Sequence, residues 1–187
     1  RAGDLSNLLD SMSSAFNTIQ AANNGITSIT KLVQSAQALV SQAQQTSDLT
    51  VRSNLASQFG QIMGQIDQLA SDSGFNGINL LDKNNSADLT VTLNERGTSS
   101  VTISAVDFSS NGLAINNAQN NWGGAADITA ASTDLTNALI TLRSQAQAFG
   151  SNLTTVQVRQ DFTKAMINTL QSGADSLTLA DSNEEGA

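Results

Sequence analysis

Ser28-Ile29-Thr30-Lys31 places a hydroxyl and an amine three residues apart, the spacing at which penicillin-binding enzymes carry their nucleophile and lysine. No K-T-G follows to complete that site, and Ser28 falls inside a helical pattern without a cleft. The run from Asp82 to Asp88 offers oxygen ligands at alternate positions, as the start of a calcium loop does. It has neither the glycine at position six nor the Glu at position twelve that such a loop uses, so it reads as a solvated loop. Asn84-Asn85-Ser86 and Asn152-Leu153-Thr154 are sequons, the second of them on a helical stretch. Gly60-Gln61-Ile62-Met63-Gly64 puts two glycines four residues apart on one helix face, a flat strip that another backbone can approach. That approach would be either an internal contact or a contact with another subunit.

The residues that are missing narrow the chemistry further. The 187-residue chain contains no His, Cys, Tyr or Pro, so a Ser-His-Asp triad, a Cys nucleophile, a zinc finger and a disulfide framework are all excluded. No catalytic residue, cofactor site or metal site is assigned, and no enzyme function is expected. Ser, Thr, Asn and Gln make up 77 of the 187 residues, so the surface is polar but largely uncharged. The formal charge of -8, with eight scattered cations, argues against nucleic acid as a partner. No apolar run approaches the roughly 20 residues that span a bilayer, so no membrane insertion is expected. The absence of Cys fits an extracellular protein and a cytosolic one equally.

The elements follow from the periodicity. From Leu5 to Ala43 the apolar residues keep an unbroken heptad repeat. One seam is Leu5, Met12, Ile19, Ile26, Val33 and Val40; the other is Leu8, Ala15, Ala22, Ile29, Ala36 and Ala43. Large residues facing mostly Ala predict a long helix packed lengthwise against close neighbours, weakened by about 1 kcal/mol at Gly25. The stretch from Gln44 to Asp48 predicts a turn, with Thr46, Ser47, Asp48 or Thr50 as the next N-cap. A shorter second helix carries Leu55, Phe59, Ile62, Ile66 and Leu69 and ends at Ser73-Gly74, Gly74 suiting the left-handed position after a helix.

Alternation of Leu89, Val91 and Leu93, and of Val101, Ile103 and Ala105, predicts a β-hairpin about a turn at Asn94–Thr98. Asn111 to Gly124 is a polar loop holding Trp122. Helical spacing then resumes, with Asp127 as N-cap, through Ile128, Leu135, Leu142, Phe149 and Val156 to Ile167, Leu170, Ala174 and Leu177. The eleven-residue step from Val156 to Ile167 stays in phase across Gln160 and Thr163. The expected fold is mainly α: a rod-like antiparallel bundle of two long helices and one shorter helix with a β-hairpin. It forms a single domain over 1–187, divided into an N-terminal helical hairpin (1–72), a loop and β-hairpin (73–126) and a C-terminal long helix (127–187).

Several motifs resemble those of one family in order and spacing. Gln65-Ile66-Asp67-Gln68-Leu69-Ala70 followed by Gly74-Phe75-Asn76-Gly77-Ile78-Asn79-Leu80-Leu81 is similar to the signature of bacterial flagellins after their second core helix. Arg1 to Leu9 resembles the start of their first core helix. Val158-Arg159-Gln160-Asp161-Phe162-Thr163, with Leu179-Ala180-Asp181-Ser182-Asn183-Glu184-Glu185, resembles the last helix of alphaproteobacterial flagellins. The resemblance implies a secreted structural subunit of the extracellular flagellar filament, self-assembling into protofilaments for swimming. Its partners would be other flagellin subunits and the flagellar export and chaperone components. A chain exported unfolded through a narrow channel gains from having no disulfides.

By the same resemblance, the sequence corresponds to the inner rod domain (the D1-like core) without the terminal segments and the outer variable domains. The chain alone is therefore expected to stay monomeric. Gln34-Ser35-Ala36-Gln37-Ala38 lies where enterobacterial flagellins carry Arg, Glu and Leu read by an animal immune receptor, which implies weak recognition here. The alternatives are a flagellin-like junction or cell-surface protein, or a helical sensor or signalling bundle. The β-hairpin and Phe75-Asn76-Gly77 argue against the bundle.

Overall fold

The computed structural model describes residues 1–186 along the backbone and 1–179 in side-chain detail. Ala180 to Glu185 of the C-terminal motif, and Ala187, therefore lie outside the described side chains. Three helices and one hairpin make up the architecture: α1 (Ala2–Gln44), α2 (Leu49–Asp72), β1 (Leu89–Thr92), β2 (Ser100–Ile103) and α3 (Ala125–Gly186). With 43 and 62 residues, α1 and α3 are about 65 Å and 93 Å long.

All twelve heptad positions of α1 are buried. The reason is that α1 is the central element, with α3 packed along it in the opposite direction and α2 folded back on another side. Gln160 on α3 donates to Ser13 Oγ at 2.9 Å, while Ile26 and Thr30 share a groove with Leu139 and Leu142. The seam of Ala residues lets these axes approach closely. The eleven-residue gap in the α3 stripe is filled by Gln160 and Thr163, both buried among the apolar residues. Gln160 is satisfied by Ser13, as a buried amide must be.

α2 begins at Asp48, whose Oδ1 accepts from the backbone N–H of Thr50 (2.9 Å) and Val51 (3.1 Å). This pins two of the amides that a helix start leaves without partners. Its buried face is Leu55, Ala56, Phe59, Met63, Ile66 and Ala70, with Ile62 and Leu69 only partly buried. The expected stripe is thus shifted at two positions. The cause is that α2 is covered by α1 on one side and on another by the segment before α3, where Asp67 Oδ1 accepts from Ser110 N–H and Oγ–H, both at 2.8 Å.

Gly74 does not take the left-handed position expected of it; Asn76 (φ 54°) and Gly77 (φ 83°) do. The end of α2 is closed instead by a side chain. Asn79 Nδ2 donates to Ala70 O (2.8 Å) and Ser71 O (3.0 Å), and its Oδ1 accepts from Leu81 N–H at 2.9 Å. Orphan carbonyls satisfied in this way need no left-handed glycine. The same bonds drive Leu80 and Leu81 into the core, where both are fully buried.

The hairpin pairs Leu89 with Ile103 and Thr92 with Ser100 in an antiparallel register. Leu89, Val91 and Ile103 face the core, and Thr90 and Thr102 face water. Asn94 Oδ1 accepts from Thr98 N–H and Ser99 N–H, and Gly97 has φ 71°, so the turn has the side-chain bonding and glycine it requires. α3 starts two residues earlier than expected. Asp127 sits in its first turn and reaches back, Oδ2 accepting from Gly124 N–H at 3.1 Å. That is the reciprocal half of a capping box rather than an N-cap.

Candidate functional site

The sequence-predicted chemical groups do not converge. Ser28 lines a groove with Ala21, Leu69 and Ser73 against α2, whereas Lys31 lines another with Leu139 and Arg143 against α3. A hydroxyl and an amine on different sides of one helix make no dyad. In the acidic loop the oxygens face different neighbours. Asp82 accepts from Asn85 Nδ2 at 3.0 Å, and Asp88 Oδ1 accepts from the N–H of Ala105 at 2.8 Å. Each carboxylate fastens a turn or a strand end, and no group of three potential ligands gathers among the described residues. Of the sequon asparagines, Asn84 donates to Asp107 Oδ2 at 3.2 Å and Asn152 lies within α3.

What the rod offers instead is surface. Gly60 is exposed and Gly64 half-buried, and a Cβ added at either would meet nothing within 4 Å. Among the described residues, none comes that close to either glycine's outer face. On α3, Val158 and Phe162, four residues apart, are 59% and 53% exposed, and the Arg159 guanidinium lies 5.3 Å from the centre of the Phe162 ring. Arg159 Nη2 also donates to Leu93 O at 2.8 Å, which fastens the hairpin to α3. Beside it is a notch of about 380 Å³ into which Arg1, Arg96 and Arg159 all face.

Arg1 pairs there with Glu95, joining the hairpin to the start of α1. A backbone hydrogen bond at Glu95 and then the Arg1 guanidinium hold its carboxyl below the usual range. A lowered pKa in the folded state means that the tie is present near neutral pH. It is lost as pH falls through that lowered value. Farther along, the α3 stripe stays in phase through Ala174 and Leu177 but leaves the core, with Leu177 71% exposed. α1 begins opposite the preceding turns, so no described element lies beside this part of α3.

Two further positions were misjudged by sequence reasoning. Gly25, expected only to weaken α1, is buried where α1 meets the end of α2; a Cβ there would come within 2.1 Å of Ser73 Oγ and 2.7 Å of Leu81 Cδ1. Trp122, expected in a polar loop, is fully buried against Phe59 with ring centres 5.0 Å apart. Its loop is anchored by Arg52, which donates from Nε to Thr46 O (2.9 Å) and from Nη1 to Gly123 O (3.2 Å). The signal for Gly25 is faint, a glycine in phase near the heptad seam; for Trp122 it is the residue type alone.

The arrangement is a rod of long helices with a docked hairpin, in which Asp48, Asn79, Asn94 and Asp127 serve caps and turns. Residues 1–86 match the family model of the bacterial flagellin N-terminal helical region, a stretch that spans α1, α2 and the Gly74–Leu81 motif. The chain is similar in fold to the crystal structure of Bacillus cereus flagellin. The TM-score is 0.69 at 22% sequence identity, over 84% of this chain and 88% of that one. No curated protein sequence matches the chain. The fold is that of a flagellin, and the flagellin family model covers its first 86 residues.

Proposed function

We infer that this chain is a structural, non-enzymatic subunit of the bacterial flagellar filament, in the extracellular part of the organelle. The observation that carries the reading is the coincidence of the family-model match over residues 1–86 with a flagellin fold over most of the chain. No described helix is long and apolar enough to cross a membrane. The partners are other flagellin subunits, together with the export and chaperone components that deliver an unfolded chain. The C-terminal motif supports an alphaproteobacterial type within the family. The chain is read as a single domain in three parts, 1–72, 73–126 and 127–187; α2 ends at Asp72, and α3 begins at Ala125, two residues before the last part.

Gly60 and Gly64 are the assigned subunit contacts. The support is that a Cβ added at either would meet no described atom within 4 Å, so the internal alternative has no partner among the described residues. Leucine at either position is expected to leave the isolated chain folded, with a melting temperature unchanged or slightly raised, because glycine costs a helix about 1 kcal/mol relative to good helix formers. In cells whose filaments are built from this protein, the same substitutions are expected to shorten filaments and reduce swimming, by forcing neighbouring helices apart. Normal filaments from both variants would remove the strip from the interface.

Recognition by the animal flagellin receptor is expected to be weak. Ala36 points into the core, which leaves Gln34, Ser35, Gln37 and Ala38, none of them charged, on the accessible side. Hydrogen bonds to charged groups are worth about 1.5–3 kcal/mol each, so losing two costs orders of magnitude in affinity. A receptor-reporter assay checks this; potency equal to that of an enterobacterial flagellin would contradict it.

A further inference from the structure

We propose that Asn76 is a spontaneous modification site, at which the side-chain amide is lost to give aspartate and isoaspartate. The reaction needs no enzyme or co-reactant other than water. The backbone nitrogen of the following residue gives up its proton to solvent base and attacks the Asn Cγ. A C–N bond forms, the Cγ–Nδ2 bond breaks, and ammonia leaves, producing a five-membered succinimide. Water then opens either carbonyl of that ring, and opening at the main-chain carbonyl leaves isoaspartate. The step is fastest before glycine, where no Cβ obstructs the attacking nitrogen.

The chain contains three Asn-Gly steps, and the structure separates them. Asn24-Gly25 lies inside α1, where the Gly25 amide belongs to the helix ladder and the residue is buried against Ser73 and Leu81. Asn111-Gly112 is exposed, but the Gly112 amide donates to Ser109 Oγ at 3.1 Å. The Gly112 α-carbon is also pressed against Asp107, where an added Cβ would come within 2.0 Å of the carbonyl oxygen. In both cases the nucleophilic nitrogen is occupied and the backbone cannot swing toward the side chain.

Asn76-Gly77 forms the tip of a two-residue turn with both φ angles positive, 54° and 83°. Both residues are exposed, and the Gly77 amide makes no hydrogen bond among the described residues. Only two backbone bonds close the turn, Phe75 N–H to Ile78 O (2.9 Å) and Ile78 N–H to Phe75 O (3.1 Å). Phe75 is itself 40% exposed and anchors it weakly. Opening this turn frees the attack geometry without disturbing a helix. The product has consequences for the fold. Asn76 Nδ2 donates to Ser14 Oγ on α1 at 3.0 Å, and a carboxylate there could only accept, from the Ser14 hydroxyl, so the bond must reverse. Isoaspartate also inserts a methylene into the main chain of a turn that tolerates only two central residues. An aged chain therefore carries a new negative charge and, as isoaspartate, a lengthened turn at the α2 exit.

The test is to incubate the whole folded chain at mildly alkaline pH below its melting temperature, then map its peptides by mass spectrometry. Fragmentation that distinguishes aspartate from isoaspartate identifies the product, and a parallel sample is unfolded in denaturant. In the folded chain, Asn76 is expected to convert about tenfold or more faster than Asn24 and Asn111, a ratio equivalent to about 1.4 kcal/mol in barrier. All three should react at similar rates once unfolded. Conversion led by Asn111 or Asn24 in the folded chain would overturn the proposal. So would an intact Asn76 under conditions in which the unfolded chain reacts.

Discussion

Replacing Trp122 with alanine is expected to cost about 3–5 kcal/mol of stability, the range for removing a large buried aromatic side chain. Trp122 is fully buried, packs on Phe59, and closes the end of the rod where the α1–α2 turn, the start of α2 and the start of α3 meet. The backbone there runs through three successive residues with positive φ, Asn120 (52°), Asn121 (48°) and Trp122 (59°). A bulky residue resists that conformation, so the burial of the indole must offset the local strain. The alanine variant loses the burial and keeps most of the strain. At about 2–4 °C per kcal/mol for a chain of this size, the loss corresponds to a fall in melting temperature of about 10 °C or more. Circular dichroism melts of the two proteins measure it. A shift of only a degree or two would mean that the indole lies outside the cooperative core.

Gly25 is expected to respond in the direction opposite to helix propensity. Substitution of a mid-helix glycine by a good helix former normally stabilises by about 1 kcal/mol. Here the first added carbon would overlap Ser73 Oγ and Leu81 Cδ1, and neither can withdraw freely. Ser73 Oγ donates to Leu69 O at 2.6 Å, and Leu81 is fully buried behind the Asn79 cap. Overpacking of this kind costs about 1–3 kcal/mol, occasionally more, and Gly25→Leu is placed at or beyond the top of that range. Gly60 and Gly64, with open space at the Cβ position, serve as the internal control and should gain from alanine. Chemical denaturation of the three variants side by side decides the matter. A more stable Gly25→Leu would show that the junction of α1 with the α2 exit is slack.

These two positions also mark the boundary of what the sequence makes legible. Periodicity locates the twelve seam positions of α1, all of them buried, because a heptad pattern reports directly which side of a helix faces its neighbours; Thr18, Gly25 and Leu39, buried beside the seams, fall outside it. Alternation and a glycine turn locate the hairpin, and Asp48 is a readable cap because its chemistry is local. The misplaced features are those set by long-range packing. Trp122 sits in a polar sequence and is recruited by Phe59, sixty-three positions away. Met63 and Ala70 are buried, rather than Ile62 and Leu69, because a second layer covers α2. Gly74 is relieved of its capping role by Asn79, whose three bonds depend on a loop path that no local pattern specifies. The candidate contact strip, by contrast, is legible in its spacing. The structure adds that a Cβ at either glycine would meet no described atom within 4 Å.

The measurement that bears most directly on the account is immunogold electron microscopy with antibodies raised against this chain, applied to the cells that produce it. A structural filament subunit predicts gold particles at regular density along the whole length of the flagella. Labelling confined to the filament base, to the cell wall or to the membrane would contradict that reading and assign the rod to a junction, surface or signalling protein instead.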